Sequence, residues 1–116
     1  MKLIVCGGRK YGNYFAVRHV LDTIHAKRPI TLIIEGGAMG ADRLARSWAI
    51  EHRIPYVTEE VTKADWDKYG RGAGPRRNGL MLKHKPDGVV AFPGNDGTAD
   101  MMKQARQAGV TVYEPF

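Results

Sequence analysis

Short unbroken apolar runs alternate along the chain with segments whose apolar residues recur every three or four positions. Residues 2–6 (Lys-Leu-Ile-Val-Cys) and 31–35 (Thr-Leu-Ile-Ile-Glu) are rich in β-branched residues and end at the glycine pairs Gly7-Gly8 and Gly36-Gly37. They read as buried parallel strands. Weaker runs at 55–58, 88–92 and 110–114 predict three more strands. Between the runs, Val17, Val20, Leu21 and Ile24 keep helical spacing after an Asn13 cap, and Ala41, Leu44, Ala45, Trp48 and Ala49 do so after the second glycine turn. Pro75 is expected to open a third helix at its first position. Thr98 is expected to cap a fourth, which carries Met101, Met102, Ala105 and Ala108 and stops at Gly109.

Strict alternation of strand and helix predicts an α/β fold: one Rossmann-like, doubly wound domain over residues 1–116, with a five-stranded, mainly parallel sheet covered by helices on both faces. Right-handed crossovers favour the strand order 3-2-1-4-5. Residues 59–74 have neither pattern and read as a loop, long enough in so small a domain to be functional or mobile.

Composition narrows the function classes. No segment approaches the roughly 20 consecutive apolar residues of a membrane span, and the first apolar run stops at glycines without a small-residue cleavage site, so a cytoplasmic location is expected. The single cysteine, Cys6, excludes an internal disulfide, and its place at the end of an apolar run suits a buried side chain better than a reactive thiol. His19, His25, His52 and His84 are scattered without ligand spacing, so no metal is expected. The net charge of +6 is uneven: Lys63, Lys68, Arg71, Arg76, Arg77, Lys83 and Lys85 crowd one stretch, opposed by Asp65, Asp67 and the neighbouring Asp87. Such a field suits phosphates on a nucleotide or a nucleic acid, and equally a solvated surface.

The candidate chemistry lies in three glycine-rich turns. In the strand order above, the order reverses between strands 1 and 4, and ligands of doubly wound sheets bind at the carboxyl end of such a reversal. Gly7-Gly8-Arg9 follows strand 1, Pro93-Gly94-Asn95-Asp96-Gly97-Thr98 follows strand 4, and Gly36-Gly37-Ala38-Met39-Gly40-Ala41-Asp42 follows the adjacent strand 2. Glycines admit close backbone approach, and helix N-termini offer free N–H groups to an anion. Phosphate is the expected guest, with the Thr98 hydroxyl and the forked guanidinium groups of Arg9, Arg76 or Arg77 as partners. Asp42 either caps its own helix or accepts from a ribose hydroxyl. Asn78 can donate and accept at a base or sugar, or is simply an exposed helical residue. Trp66 and Tyr69 either stack on a base as a lid or pack the loop onto the domain. Neither Gly-x-x-x-x-Gly-Lys-Ser/Thr nor Gly-x-Gly-x-x-Gly is present, which disfavours a P-loop ATPase or an ordinary NAD dehydrogenase.

The stretches CGGRKYGN, EGGAMGADRLARSWA, ADWDKYGRGAGPRRNGLM and FPGNDGTADMMKQARQAG together resemble the YspA-type, YpsA-related branch of the SLOG superfamily over nearly the whole chain. The resemblance implies a Rossmann-like domain that binds a nucleotide or a nucleotide-derived ligand of the NAD or ADP-ribose kind, as a sensor or sequestering protein. It implies no required cofactor, and a homo-oligomer as the expected assembly. The related LOG phosphoribohydrolases carry Pro-Gly-Gly-x-Gly-Thr-x-x-Glu. Here Pro93, Gly94, Gly97 and Thr98 match, Asn95 replaces the second glycine, and Met101 stands at the glutamate position. Asp100 is one position early, roughly 100° away around a helix. An N-glycosidic hydrolase would therefore have to draw on Arg77 with Asp100 or Glu35. The similar core of DprA keeps single-stranded DNA binding as a further alternative.

Overall fold

The computed structural model describes residues 1–116. Five strands, β1 (Lys2–Cys6), β2 (Leu32–Glu35), β3 (Tyr56–Thr58), β4 (Gly88–Ala91) and β5 (Thr111–Tyr113), form one parallel sheet in the order β3-β2-β1-β4-β5. The expected order is the observed one, with Ile4 opposite Ile34 on one side and Val89 on the other.

Successive residues of β1 face opposite sides of the sheet, and both sides are covered, so the apolar run is continuous rather than alternating. Leu3 and Val5 pack with Ile33, Val90 and Phe92 beneath α1 (Tyr14–Lys27) and α2 (Ala41–Glu51). Ile4 and Cys6 pack with Ile34, Val89 and Ala91 beneath α4 (Ala73–Leu82) and α5 (Asp96–Gln107). Each fully buried Leu, Ile or Val contributes about 1.5–3 kcal/mol. Trp48 is the largest wholly buried side chain, and its indole Nε1 donates to Asp22 at 2.8 Å.

Three boundaries differ from the expectations. Residues 59–74 are not a continuous loop: α3 (Lys63–Tyr69) and a 3-10 turn (Gly70–Gly72) run into α4. The cause is a capping box, in which Thr62 Oγ1 accepts from the Asp65 N–H at 3.2 Å and Asp65 Oδ2 accepts from the Thr62 N–H at 3.0 Å. Because α4 starts at Ala73, Pro75 is its third residue rather than its first. Likewise α5 starts at Asp96, which makes Thr98 the third helical residue and not the cap. The Asn13 side chain does cap α1, accepting from the Ala16 N–H at 3.1 Å.

Candidate functional site

At the carboxyl ends of β1, β2 and β4 the three glycine turns are tied to one another. The Gly8 N–H donates to the Pro93 carbonyl at 2.8 Å, and the Gly8 carbonyl accepts from the Ala41 N–H at 3.3 Å. Glycine is needed for these approaches. Gly40 has φ +82 and a Cβ there would overlap the Gly8 carbonyl oxygen, while a Cβ at Gly94 would stand 2.7 Å from the Gly8 nitrogen. From the opposite side α4 joins the remaining gaps. Arg77 Nη1 donates to the Gly36 carbonyl at 2.8 Å, Arg77 Nε to Asn78 Oδ1 at 3.2 Å, and Asn78 Nδ2 to the Gly97 carbonyl at 3.1 Å. The result is a hydrogen-bonded ring in which the first turn touches both neighbours and α4 bridges the second and third.

Asn78 is only 2% exposed, so it is a buried strut of this ring rather than a surface residue. Its Nδ2 also reaches Asp100 Oδ2 at 2.9 Å, and that same oxygen accepts from Gln104 Nε2 at 2.7 Å. Asp42 does not cap its own helix. Its Oδ2 accepts from the Gly36 and Ala38 N–H groups at 3.2 and 3.3 Å, folding the turn back over the start of α2. Burial pushes the Asp42 carboxyl up to about 6, with the charge of Glu35 adding to the rise; the Ala38 and Gly36 N–H groups and Arg77 oppose it. Cys6 ends β1 close to these charges. Burial pushes its thiol up to about 12, the Asp42 charge raises it further and Arg77 lowers it, so it is an inert core residue.

Glu35 is wholly buried and all its capacity is used locally. Oε1 accepts from the Gly37 N–H at 2.8 Å and from Arg46 Nη2 at 3.2 Å, and Oε2 accepts from the Thr58 hydroxyl and from Arg46 Nη2 at 3.4 Å. Met101, on α5, is wholly buried in the core with Ile4, Ile34 and Val89, so this helical position points into the core. Arg46 and Gln104 serve these networks without having been singled out from the sequence, because each finds its partner on a different turn of its helix or on another element.

Two of the helices that begin at the ring lack side-chain caps. Gly40 precedes α2 and Asn95 precedes α5, and neither offers a side-chain hydrogen bond to its helix. In α5 the first intrahelical bond runs from the Ala99 N–H to the Asn95 carbonyl, leaving the N–H groups of Asp96, Gly97 and Thr98 free. Thr98 is 6% exposed and its hydroxyl has no partner in the protein, yet it is not sealed from solvent. Gly97 faces open space, with nothing within 4 Å of the position its Cβ would take. Arg9 is exposed at the first turn, and Arg77 is half-buried with Nη2 unpartnered.

Trp66, Tyr69 and Arg76 are not gathered at the turns in the same way. Helix α3 has no buried residue and packs on the 3-10 turn and on α4. The Arg76 guanidinium lies 4.7 Å from the Tyr69 ring centre and the Lys68 ammonium 5.2 Å from it, while Trp66 is 44% exposed.

The family model of the YspA, cpYpsA-related SLOG family matches residues 1–69. The Gene 61 protein of Mycobacterium phage D29 is 34% identical over 116 residues, an alignment that covers 96% of this chain and 93% of that protein. The chain belongs to the YspA, cpYpsA-related SLOG family. The SLOG match ends with α3, whereas the similarity to the phage protein extends over the elements that carry Arg77, Asn78 and the third turn. Among solved structures, DNA processing protein A (DprA) from Streptococcus pneumoniae superposes with a TM-score of 0.54 at 19% identity, covering 96% of this chain. This SLOG chain spans 57% of the DprA chain, and at that identity the likeness is one of fold.

Proposed function

We propose that this SLOG protein binds a nucleotide or nucleotide-derived phosphate ester, of the NAD or ADP-ribose kind, at the ring of glycine turns, and that it acts as a sensor or sequestering protein. The observation that carries this reading is the start of α5. Three free N–H groups, the positive end of the helix dipole and an unpartnered Thr98 hydroxyl stand over an open Gly97, on a turn already held by Gly8 and Asn78. An anion placed there meets donors that need no rearrangement, and Arg77 Nη2 and Arg9 supply positive charge. No cofactor is required for binding.

The geometry supports binding better than hydrolysis. Glu35 has its acceptors engaged within the fold, Asp100 holds Asn78 and Gln104, and Met101 lies in the core. Native mass spectrometry of gently purified protein tests the reading and reports the oligomer, expected to be a dimer or larger. A retained mass of a nucleotide or ADP-ribose derivative supports it. A ligand-free mass, together with an unchanged melting temperature in millimolar nucleotides and ADP-ribose, refutes it.

One observation favours a second reading, single-stranded nucleic-acid binding. Trp66 and Tyr69 stand on α3 with Lys63, Lys68, Arg71 and Arg76 around them, an arrangement of aromatic and cationic groups that suits stacked bases and phosphates. That mode requires affinity to fall steeply with salt, through release of counterions. A flat salt dependence, or no affinity for single strands, removes it.

A further inference from the structure

We infer that the base of the bound nucleotide sits in the cavity between the first turn of α5 and the segment after β5, and that this cavity selects bases bearing an exocyclic amine. The inference rests on the phosphate reading above. The cavity has a volume of about 180 Å³. An apolar cavity of about 150 Å³ takes up benzene, so the space suits one planar heterocycle. Its apolar walls are Phe92, Met102 and Phe116, and its polar groups are Asn95, Thr98 and Glu114.

Three features make this a recognition site rather than a packing gap. The Phe116 ring is 68% exposed and leans on Phe92 with centroids 6.0 Å apart, so one aromatic face is available to a base. Glu114 Oε2 accepts from Arg106 Nη2 at 3.0 Å in an exposed pair, which leaves Oε1 for a ligand. The unpartnered Thr98 hydroxyl lines the same cavity, and so does Asn95, which precedes the free N–H groups of α5. One nucleoside monophosphate can thus place its phosphate on the helix terminus and its base against Phe116. A carboxylate only accepts, so it favours the amine edge of adenine, guanine or cytosine and repels the carbonyls that flank N3–H in uracil.

The test is calorimetric titration of the full chain and of Phe116→Ala and Glu114→Gln with AMP, UMP, ribose 5-phosphate and free adenine. Phe116 is exposed and lies beyond the last strand, so its replacement leaves the fold intact. AMP is expected to bind the wild type about tenfold more tightly than ribose 5-phosphate, and Phe116→Ala to remove most of that advantage. Glu114→Gln is expected to narrow the preference for AMP over UMP. Equal affinities for AMP and ribose 5-phosphate, or an AMP affinity indifferent to Phe116→Ala, overturn the inference while leaving the phosphate site standing. Binding of adenine that depends on Phe116, without binding of ribose 5-phosphate, supports the base pocket and removes the phosphate reading. No binding of any probe overturns the inference, and if ADP-ribose titrated alongside them also fails to bind, it overturns the phosphate reading with it.

Discussion

Helices α1 and α3 begin with side-chain caps from Asn13 and Thr62, whereas α2 and α5 begin with none. The two capped helices start away from the three turns, and there Asn13 and Thr62 satisfy first-turn N–H groups. Helix α4 also starts away from the turns but runs on from the 3-10 turn without a side-chain cap. Helices α2 and α5 start inside the ring. There one free group, the Ala41 N–H, is taken by the Gly8 carbonyl, and the Asp96, Gly97 and Thr98 N–H groups are left without partners. A fold concerned only with stability would gain from a cap worth about 1 kcal/mol at Asn95. Without it the three N–H groups stand free for the anion that we propose binds there.

Gly40→Ala should break the ring most severely. A methyl group there meets the backbone of Gly8 and Arg9 at a positive φ, so a loss above about 2 kcal/mol is expected in urea unfolding. A variant as stable as the wild type would show that the turns are not interlocked. Arg77→Ala should come next, lowering nucleotide affinity by tenfold or more and stability by about 1 kcal/mol, since it removes the bond to the Gly36 carbonyl as well as a free donor. Calorimetry and unfolding on the same sample separate these two losses.

Asp42 gives the ring a pH signature. Its carboxyl is raised from an ordinary 3.8 to about 6, so between those values the native protein holds a proton that the unfolded chain has released. Stability therefore falls as pH rises through this window, by up to about 3 kcal/mol, and stays at the lower level above it. Asp42→Asn keeps an acceptor for the Gly36 and Ala38 N–H groups and should flatten that step in unfolding curves taken from pH 4 to pH 7. An undiminished step in the variant would assign it to another group.

The smallest effects sharpen the contrast between the two kinds of helix start. Thr62→Ala should loosen α3 locally by about 1 kcal/mol, seen as faster amide exchange at residues 63–69, and leave nucleotide binding untouched. Gly97→Ala should do the reverse. The added methyl meets no protein atom, so stability is unchanged or rises by about 0.5 kcal/mol, while phosphate affinity falls. Equal nucleotide binding by Gly97→Ala and the wild type would mean that no ligand approaches that backbone.

The sheet was legible in the sequence because each strand is an apolar run ended by a turn, and the order 3-2-1-4-5 follows from the handedness of its crossovers. The convergence of the glycine turns was legible for the same reason. What joins them was not. Arg77 meets Gly36 across 41 positions and Asn78 meets Gly97 across 19, and no local pattern encodes such pairs. Helix α3 escaped because it buries nothing and so lacks an apolar stripe; its one local mark is Thr62-x-x-Asp65. Phe116 and Glu114 carried no signal, since they join the α5 terminus only after β5 has been laid beside β4.

The most direct test of the anion site is a titration with AMP and ADP-ribose followed in the amide proton–nitrogen spectrum of the labelled protein. Saturable shifts centred on Asp96, Gly97 and Thr98, with Gly8 and Arg9 responding beside them, are the expected result. Shifts confined to α3, or an unchanged spectrum at millimolar ligand, would contradict the account.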